Sequence, residues 1–209
     1  MIKNPKSNNF QNICIDFFDI AFAIVLLILL VPGFIIIGIV IKIDSPGKIF
    51  FSQARVGKNG EIFKMIKFRT MRDDGKRSAV HYRSDERGET EPVIKVRHDV
   101  RVTRVGKFLR KFSLDELPQL FNVLKGNMSL VGPRPPVLEE MKIYNAYQKK
   151  RLNGKPGLTG LAQISGRTDL NFNTIVKLDI EYLQNRSVWL YLKILILTLP
   201  YIIIGKSSY

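Results

Sequence analysis

The longest apolar run in the chain, residues 20–41, contains no charged side chain and reads IAFAIVLLILLVPGFIIIGIVI. A helix of that length covers about 30 Å, the depth of a bilayer's hydrocarbon core, so the run predicts a membrane anchor. Asp16 and Asp19 precede it and it lacks a small-residue cleavage site, which argues for an anchor that is kept. Pro32 and Gly33 fall in its middle. Proline frees a carbonyl in the preceding turn, and in lipid that group must find a partner or reach the interface. Lys3 and Lys6 lie before the run, and Lys42, Lys48, Arg55 and Lys58 after it. Basic residues on both flanks favour a helix that bends and returns over one that crosses. A kinked spanning helix is the competing reading.

Beyond the anchor the pattern shortens. Residues 49–53 and 61–68 can pair across a loop holding Asn59-Gly60, a hairpin dipeptide. Residues 73–91 are polar and mixed in charge, which predicts a loop or a segment that orders only on binding a ligand. Val105, Phe108, Leu109 and Phe112 follow at helical spacing among Arg104, Lys107, Arg110 and Lys111. Such a helix lies on an anionic membrane surface or packs its apolar stripe on the core, and the pattern allows both. A polar helix is predicted from 136 to about 152, then a glycine-rich stretch at 155–167 and a helix through Asp179 and Tyr182. The closing apolar run, 188–204, is interrupted by Lys193 and Pro200 and suits an interfacial helix. The fold class expected is mainly α with a small β-hairpin, monotopic, with one N-terminal re-entrant membrane helix and interfacial amphipathic helices.

Charge narrows the partners. Lysine and arginine number 33 against 18 aspartates and glutamates, a net charge of +15 that suits a polyanion or an anionic membrane face. Nucleic acid is the rival polyanion. Cys14 is the only cysteine, which excludes an intrachain disulfide and a thiolate metal cage. His81 and His98 are too few and too isolated for a zinc site and read as surface residues.

Against this positive background Asp115 and Glu116 stand side by side in FSLDELPQLFNVLKGNMSLVGPRP, residues 112–135. Adjacent carboxylates raise each other's pKa and call for a cation nearby. One reading is a capping box, with the Ser113 hydroxyl on the Glu116 amide, the Glu116 carboxylate on the Ser113 amide and Asp115 at the positive helix end. Pro118 counts against it, because a proline there breaks or restarts the helix and leaves both acids at a discontinuity. The other reading is phosphoryl transfer, in which a carboxylate attacks phosphorus or holds a divalent ion. Arg134, between Pro133 and Pro135, offers a planar fork for phosphate oxygens on a stiff backbone. The glycines at 157, 160 and 166 in KPGLTGLAQISGR would allow close backbone approach to a ligand, with Lys155 and Arg167 supplying charge.

With that stretch, KFRTM at 67–71 and KPGLTGLAQISGR together, the chain resembles the bacterial sugar transferases that act on polyprenyl phosphate, the monotopic phosphoglycosyl transferases. The similarity runs from about Asp16 to the C-terminus. It implies a re-entrant helix broken at Pro32 within residues 1–45, and a catalytic domain, residues 46–209, on the cytoplasmic face of the bacterial inner membrane. It further implies that Asp115 is the nucleophile, Glu116 its partner and magnesium, held by these two acids, the cofactor. The implied reaction moves a phosphosugar from a UDP-sugar to undecaprenyl or another polyprenyl phosphate, with release of UMP, as a first membrane step of surface glycan synthesis. Membrane lipids are then the remaining partners, nucleic acid is not one, and a homo-oligomer is compatible. Lys67, Arg69, Arg134 and Arg167 match family motif positions and become candidate phosphate contacts beside Lys155. Asp179 and Tyr182 also match, without a role. Tyr191 departs from the family, which usually has aspartate there. The rival hypotheses are a membrane-anchored basic binding protein for anionic lipid or nucleic acid, in which the acids only cap a helix, and a one-step transferase with no covalent species.

Overall fold

The structure, a computed structural model, describes residues 9–72, 81–84, 90–93, 99–166 and 170–204. Helix α1, Asn9–Asp44, has 36 residues and, at 1.5 Å each, a length of about 54 Å. It continues through Pro32 without leaving helical structure. Ile15, Ala23, Leu27, Leu30, Phe34 and Ile41 form a stripe packed on the rest of the chain. The opposite face leaves Phe17, Ile28, Leu29, Ile36 and Ile43 exposed. Among the described residues α1 is the one helix long and apolar enough to cross a membrane. Both of its ends are fastened to the same body. Near the start, Asp19 accepts from the Leu130 amide at 2.8 Å. Near the end, Ile41 joins Phe68 and Leu109, and Arg69 bonds the carbonyls of the last turn. That both ends pack on one domain is compatible with a monotopic anchor. Pro32, at which the anchor was expected to break, lies inside a helix that runs from Asn9 to Asp44.

Strands β1, Phe50–Val56, and β2, Ile62–Phe68, form the expected antiparallel hairpin, with Phe50 opposite Phe68 and Val56 opposite Ile62. Its connection carries Asn59 at φ 56° and Gly60 at φ 88°, left-handed values that asparagine and glycine accept most readily. The polar stretch expected to be a loop contains a second hairpin, β3, His81–Ser84, and β4, Thr90–Val93, paired antiparallel. Strand pairing is made by the backbone and does not need apolar side chains, so polarity alone misled there. His98 and the rest of that stretch lie outside the described residues.

Helix α2, Arg104–Lys111, is capped by Thr103, whose hydroxyl accepts from Gly106 N at 2.9 Å. Its stripe divides between the two readings the pattern allowed: Val105 and Leu109 join the core, while Phe108 stays 57% exposed. A 3₁₀ turn, Leu114–Gln119, leads into α3, Leu120–Leu124, and then β5, Ser129–Val131. The polar helix predicted from 136 to 152 is two pieces, α4, Leu138–Ile143, and a 3₁₀ turn, Gln148–Asn153. The break lies where Asn145 and Gln148 cap each other's amides, both at 2.9 Å, a capping box that restarts the chain. Strand β6, Gly157–Thr159, pairs parallel with β5. The short α5, Leu161–Ile164, α6, Phe172–Gln184, and α7, Val188–Ile204, complete the fold. Helix α7 buries Tyr191, Ile194 and Thr198 and exposes Trp189, Ile196, Leu199 and Ile203, so it is apolar on its outer face as well as its inner one.

The hydroxyl of Tyr191, the residue that departs from the family, donates to Asp19 Oδ1 at 2.8 Å, and both residues are buried. The departure therefore serves the joint between α1 and α7 and does not face the acids. Tyr191→Phe removes one donor from a buried carboxylate, which should cost about 1–3 kcal/mol. Thermal unfolding in detergent measures it, and an unchanged midpoint would remove Asp19 from the account of anchor docking.

Candidate active site

The acids are placed by an amide. Asn122, in α3, is almost fully buried; its Nδ2 donates to Lys64 O at 2.7 Å and its Oδ1 accepts from Ile66 N at 3.0 Å. The side chain thereby serves β2 as a neighbouring strand would, satisfying a backbone donor and acceptor that burial would otherwise leave costly. Its own carbonyl accepts from the Asn127 and Met128 amides. This docking sets the 3₁₀ turn across β2, with Glu116 facing Lys67.

The capping box read from Ser113 to Glu116 is absent. Ser113 is left-handed, φ 55°, its hydroxyl makes no cap bond, and its amide donates to Arg110 O. Glu116 Oε1 instead accepts from Lys67 Nζ at 2.9 Å and lies 3.5 Å from Arg134 Nη1. The cations demanded by two adjoining acids are thus Lys67 and Arg134. Asp115 is 8% exposed. Burial pushes its carboxyl above the ordinary aspartate range; Lys67 pulls it down, Glu116 pushes it up, and Arg110 and Arg134 pull it down. Beside Glu116 opens a small cleft lined by Arg55, Met65, Lys67, Glu116, Gln119, Arg134, Pro135, Gly157 and Leu158; Asp115, one residue earlier, is not part of its lining. A cleft with three cations around a carboxylate suits a ligand carrying several phosphate charges.

Of the residues singled out from sequence, Asp115, Glu116, Lys67 and Arg134 are brought together. Arg69 is buried and turned to the end of α1, where it donates to Pro46 O, to Ser45 O at 2.6 Å and to Ile41 O at 3.4 Å. It neutralises the negative end of a long helix. Lys155 lies away from the acids and pairs with Asp16 at 3.0 Å. Arg167 is outside the described residues. In the glycine-rich stretch Gly157 lines the cleft, and the close backbone approach at 157 and 160 is to Gly132. A Cβ on Gly157 would stand 2.0 Å from Gly132 N, and one on Gly160 2.3 Å from Gly132 O, so these glycines let two backbones touch.

Arg55 and Gln119 line the cleft without having been singled out, and Asn122 positions it. Arg55 had a legible signal. The hairpin register puts Arg55 opposite Phe63, Gln53 opposite Met65 and Phe51 opposite Lys67, so residues 55, 65 and 67 share one face of a strand pair of period two. Nothing in one sequence marks Gln119 or Asn122. Among the described residues no group of three or more His, Cys, Asp or Glu side chains gathers. Magnesium is ordinarily held by one or two carboxylates with water and substrate phosphates, and Asp115 with Glu116 is a donor pair of that kind.

An acid pair compensated by cations, in a domain packed on a long apolar helix, is an arrangement suited to phosphate chemistry beside a membrane. Comparison narrows the class: residues 10–205 match the family model for bacterial sugar transferases, and the chain belongs to that family. It is similar to the galactosyl transferase CpsE of Streptococcus agalactiae, with 48% identity over 92% of this chain and 42% of that protein. The exopolysaccharide production protein ExoY of Sinorhizobium fredii is 43% identical over 92% of this chain and 86% of its own length. The UDP-glucose:undecaprenyl-phosphate glucose-1-phosphate transferase of Caulobacter vibrioides is 39% identical over 91% of this chain and 70% of that protein. The chain thus spans less than half of the streptococcal relative and most of the other two.

Two outcomes test the electrostatics. Because burial opposes ionisation of Asp115, Asp115→Asn should stabilise the fold at neutral pH, by about 2–4 °C in midpoint for each kcal/mol relieved. The gain should shrink as pH falls and Asp115 becomes protonated, since the raised group destabilises the fold only while ionised. Melting curves at two pH values decide it. Lys67→Met should lower turnover about 10²–10³-fold and move the acid limb of the rate profile to higher pH, because Lys67 holds the Asp115 carboxyl down.

Proposed function

We propose that this chain transfers a phosphosugar from a UDP-sugar to polyprenyl phosphate in the membrane, releasing UMP. One observation carries the proposal: a buried aspartate beside a glutamate that is ion-paired to Lys67 and Arg134, at a cleft in a domain laid against an apolar helix. In the first half-reaction a carboxylate oxygen of Asp115 attacks the sugar-linked phosphorus. An Asp115 oxygen to phosphorus bond forms, the bond to the UMP phosphate breaks, and its electron pair leaves with UMP. In the second, an oxygen of polyprenyl phosphate attacks the same phosphorus and the acyl phosphate bond breaks. The carboxylate is restored and the lipid carries a diphosphate-linked sugar.

Glu116 holds Lys67 and Arg134 where the diphosphate arrives, so the cations are in position before charge builds up on the leaving phosphate. Raised burial of Asp115 strips water from the nucleophile. Asp115 and Glu116 would hold magnesium, which would neutralise the donor's diphosphate. The donor is soluble in water and the acceptor in lipid, so the chemistry belongs at their boundary. The exposed apolar faces of α1 and α7 support placing the domain there. The acceptor and donor in the name of the Caulobacter relative support undecaprenyl phosphate and a UDP-sugar. Taken with the basic flanks of α1, this supports a reading in which the enzyme works on the cytoplasmic face of a bacterial inner membrane, at the first membrane step of surface glycan synthesis. The unformed cap at Ser113 weighs against a binding protein in which the acids only close a helix.

Incubation with UDP-galactose or UDP-glucose, without acceptor, should add one phosphosugar to the intact mass and release one UMP per chain. Asp115→Asn should do neither. Full turnover with lipid acceptor and no trapped adduct would point to the one-step route, and no UMP with any UDP-sugar would favour binding alone.

A further inference from the structure

The turn that presents Arg134 is held entirely by its carbonyls. Residues 133–136 read Pro-Arg-Pro-Pro, and prolines have no amide hydrogen to donate. Each of the four carbonyls accepts a hydrogen bond. Gly157 N donates to Pro133 O at 2.9 Å and Val56 N to Pro136 O at 3.0 Å. Arg151 Nη2 donates to Arg134 O at 3.2 Å and Arg55 Nη1 to Pro135 O at 3.1 Å. The Arg134 side chain is itself 48% exposed, and its guanidinium lies 3.5 Å from Glu116. The pinned backbone therefore sets the point from which that side chain reaches toward Glu116.

Arg151 differs from the other three handles in being a buried, ion-paired cation. It lies outside the lining of the cleft, it is 4% exposed, and one fork divides three ways. Nη1 donates to the Tyr144 hydroxyl at 2.9 Å, and Nη2 is shared between Arg134 O and Asp179 Oδ2, the latter at 2.5 Å. Asp179, on α6, is 1% exposed and bonds the same nitrogen. A buried ion pair contributes little stability for its desolvation, which a pair of apolar side chains would spare. It can aim a donor at one carbonyl, which an apolar pair cannot.

We propose that Arg151, oriented by Asp179, is a positioning residue for Arg134: it fixes the carbonyl of the residue whose guanidinium meets the donor's diphosphate. The inference rests on Arg134 acting as that anion clamp. Arg151→Lys keeps a cation for Asp179 but loses the fork that serves both acceptors. Asp179→Asn keeps an acceptor and the shape, and serves as the second variant should the lysine exchange fold poorly.

Initial rates of UMP release against UDP-sugar concentration would be measured for each variant in the natural chain and in Arg134→Ala, with melting curves alongside. In the natural chain Arg151→Lys should lower kcat/KM about 10–100-fold, with the same division between kcat and KM as Arg134→Ala. Asp179→Asn should lower it less. In Arg134→Ala both should change kcat/KM less than about twofold, because the group they aim is gone. Equal losses in the two backgrounds, or full activity of a folded Arg151→Lys, would overturn the inference. Natural kinetics in Arg134→Ala alone would overturn the clamp role of Arg134 on which it rests.

Discussion

One side-chain amide decides where the chemistry stands. A hairpin strand needs its outward backbone groups satisfied, and on β2 the Asn122 carboxamide does this, bonding Lys64 O and Ile66 N. The segment carrying Asn122 also carries Asp115 and Glu116 one turn earlier. Satisfying the strand therefore fixes the acids over the strand face that holds Lys67. The ion pair at 2.9 Å follows from this docking.

A second constraint comes from the anchor. A 36-residue apolar helix tied at both ends to one domain cannot hold that domain at a distance from lipid. Arg69 at its last turn and Asp19 near its start perform the tying. An aspartate in so apolar a helix would be costly if unpaired, and Tyr191 with the Leu130 amide satisfies its Oδ1. The proposed pair of substrates, one soluble in water and one in lipid, would call for such a position, because neither would reach a site deep in the other's phase.

Polar groups buried outside the cleft perform geometry. Arg151, Asp179 and Tyr144 form one buried set whose outward bond reaches the carbonyl of Arg134, and Tyr182 donates from α6 to Val131 O at 3.2 Å. Both α6 residues that matched the family without a role thus brace the segment between β5 and the proline turn. The glycines at 132, 157 and 160 do the same by letting β5 and β6 approach closely enough for their backbones to meet.

Whatever depends on local pattern was readable from the residues alone: the apolar anchor, the hairpin at Asn59-Gly60, the cationic helix, the paired acids and the constrained arginine between prolines. These are statements about periodicity, turn stereochemistry and residue type, which act over a few positions. Only the tertiary structure decided against the cap for Glu116, because an oxygen that could reach its own backbone instead pairs with Lys67, 49 positions earlier. It likewise sent Arg69 to a helix end and Lys155 to Asp16, recruited Arg55 to the cleft and turned a glycine-rich stretch into a backbone contact. A long cationic side chain has several partners within reach, and which one it meets is set by packing among segments far apart in the chain.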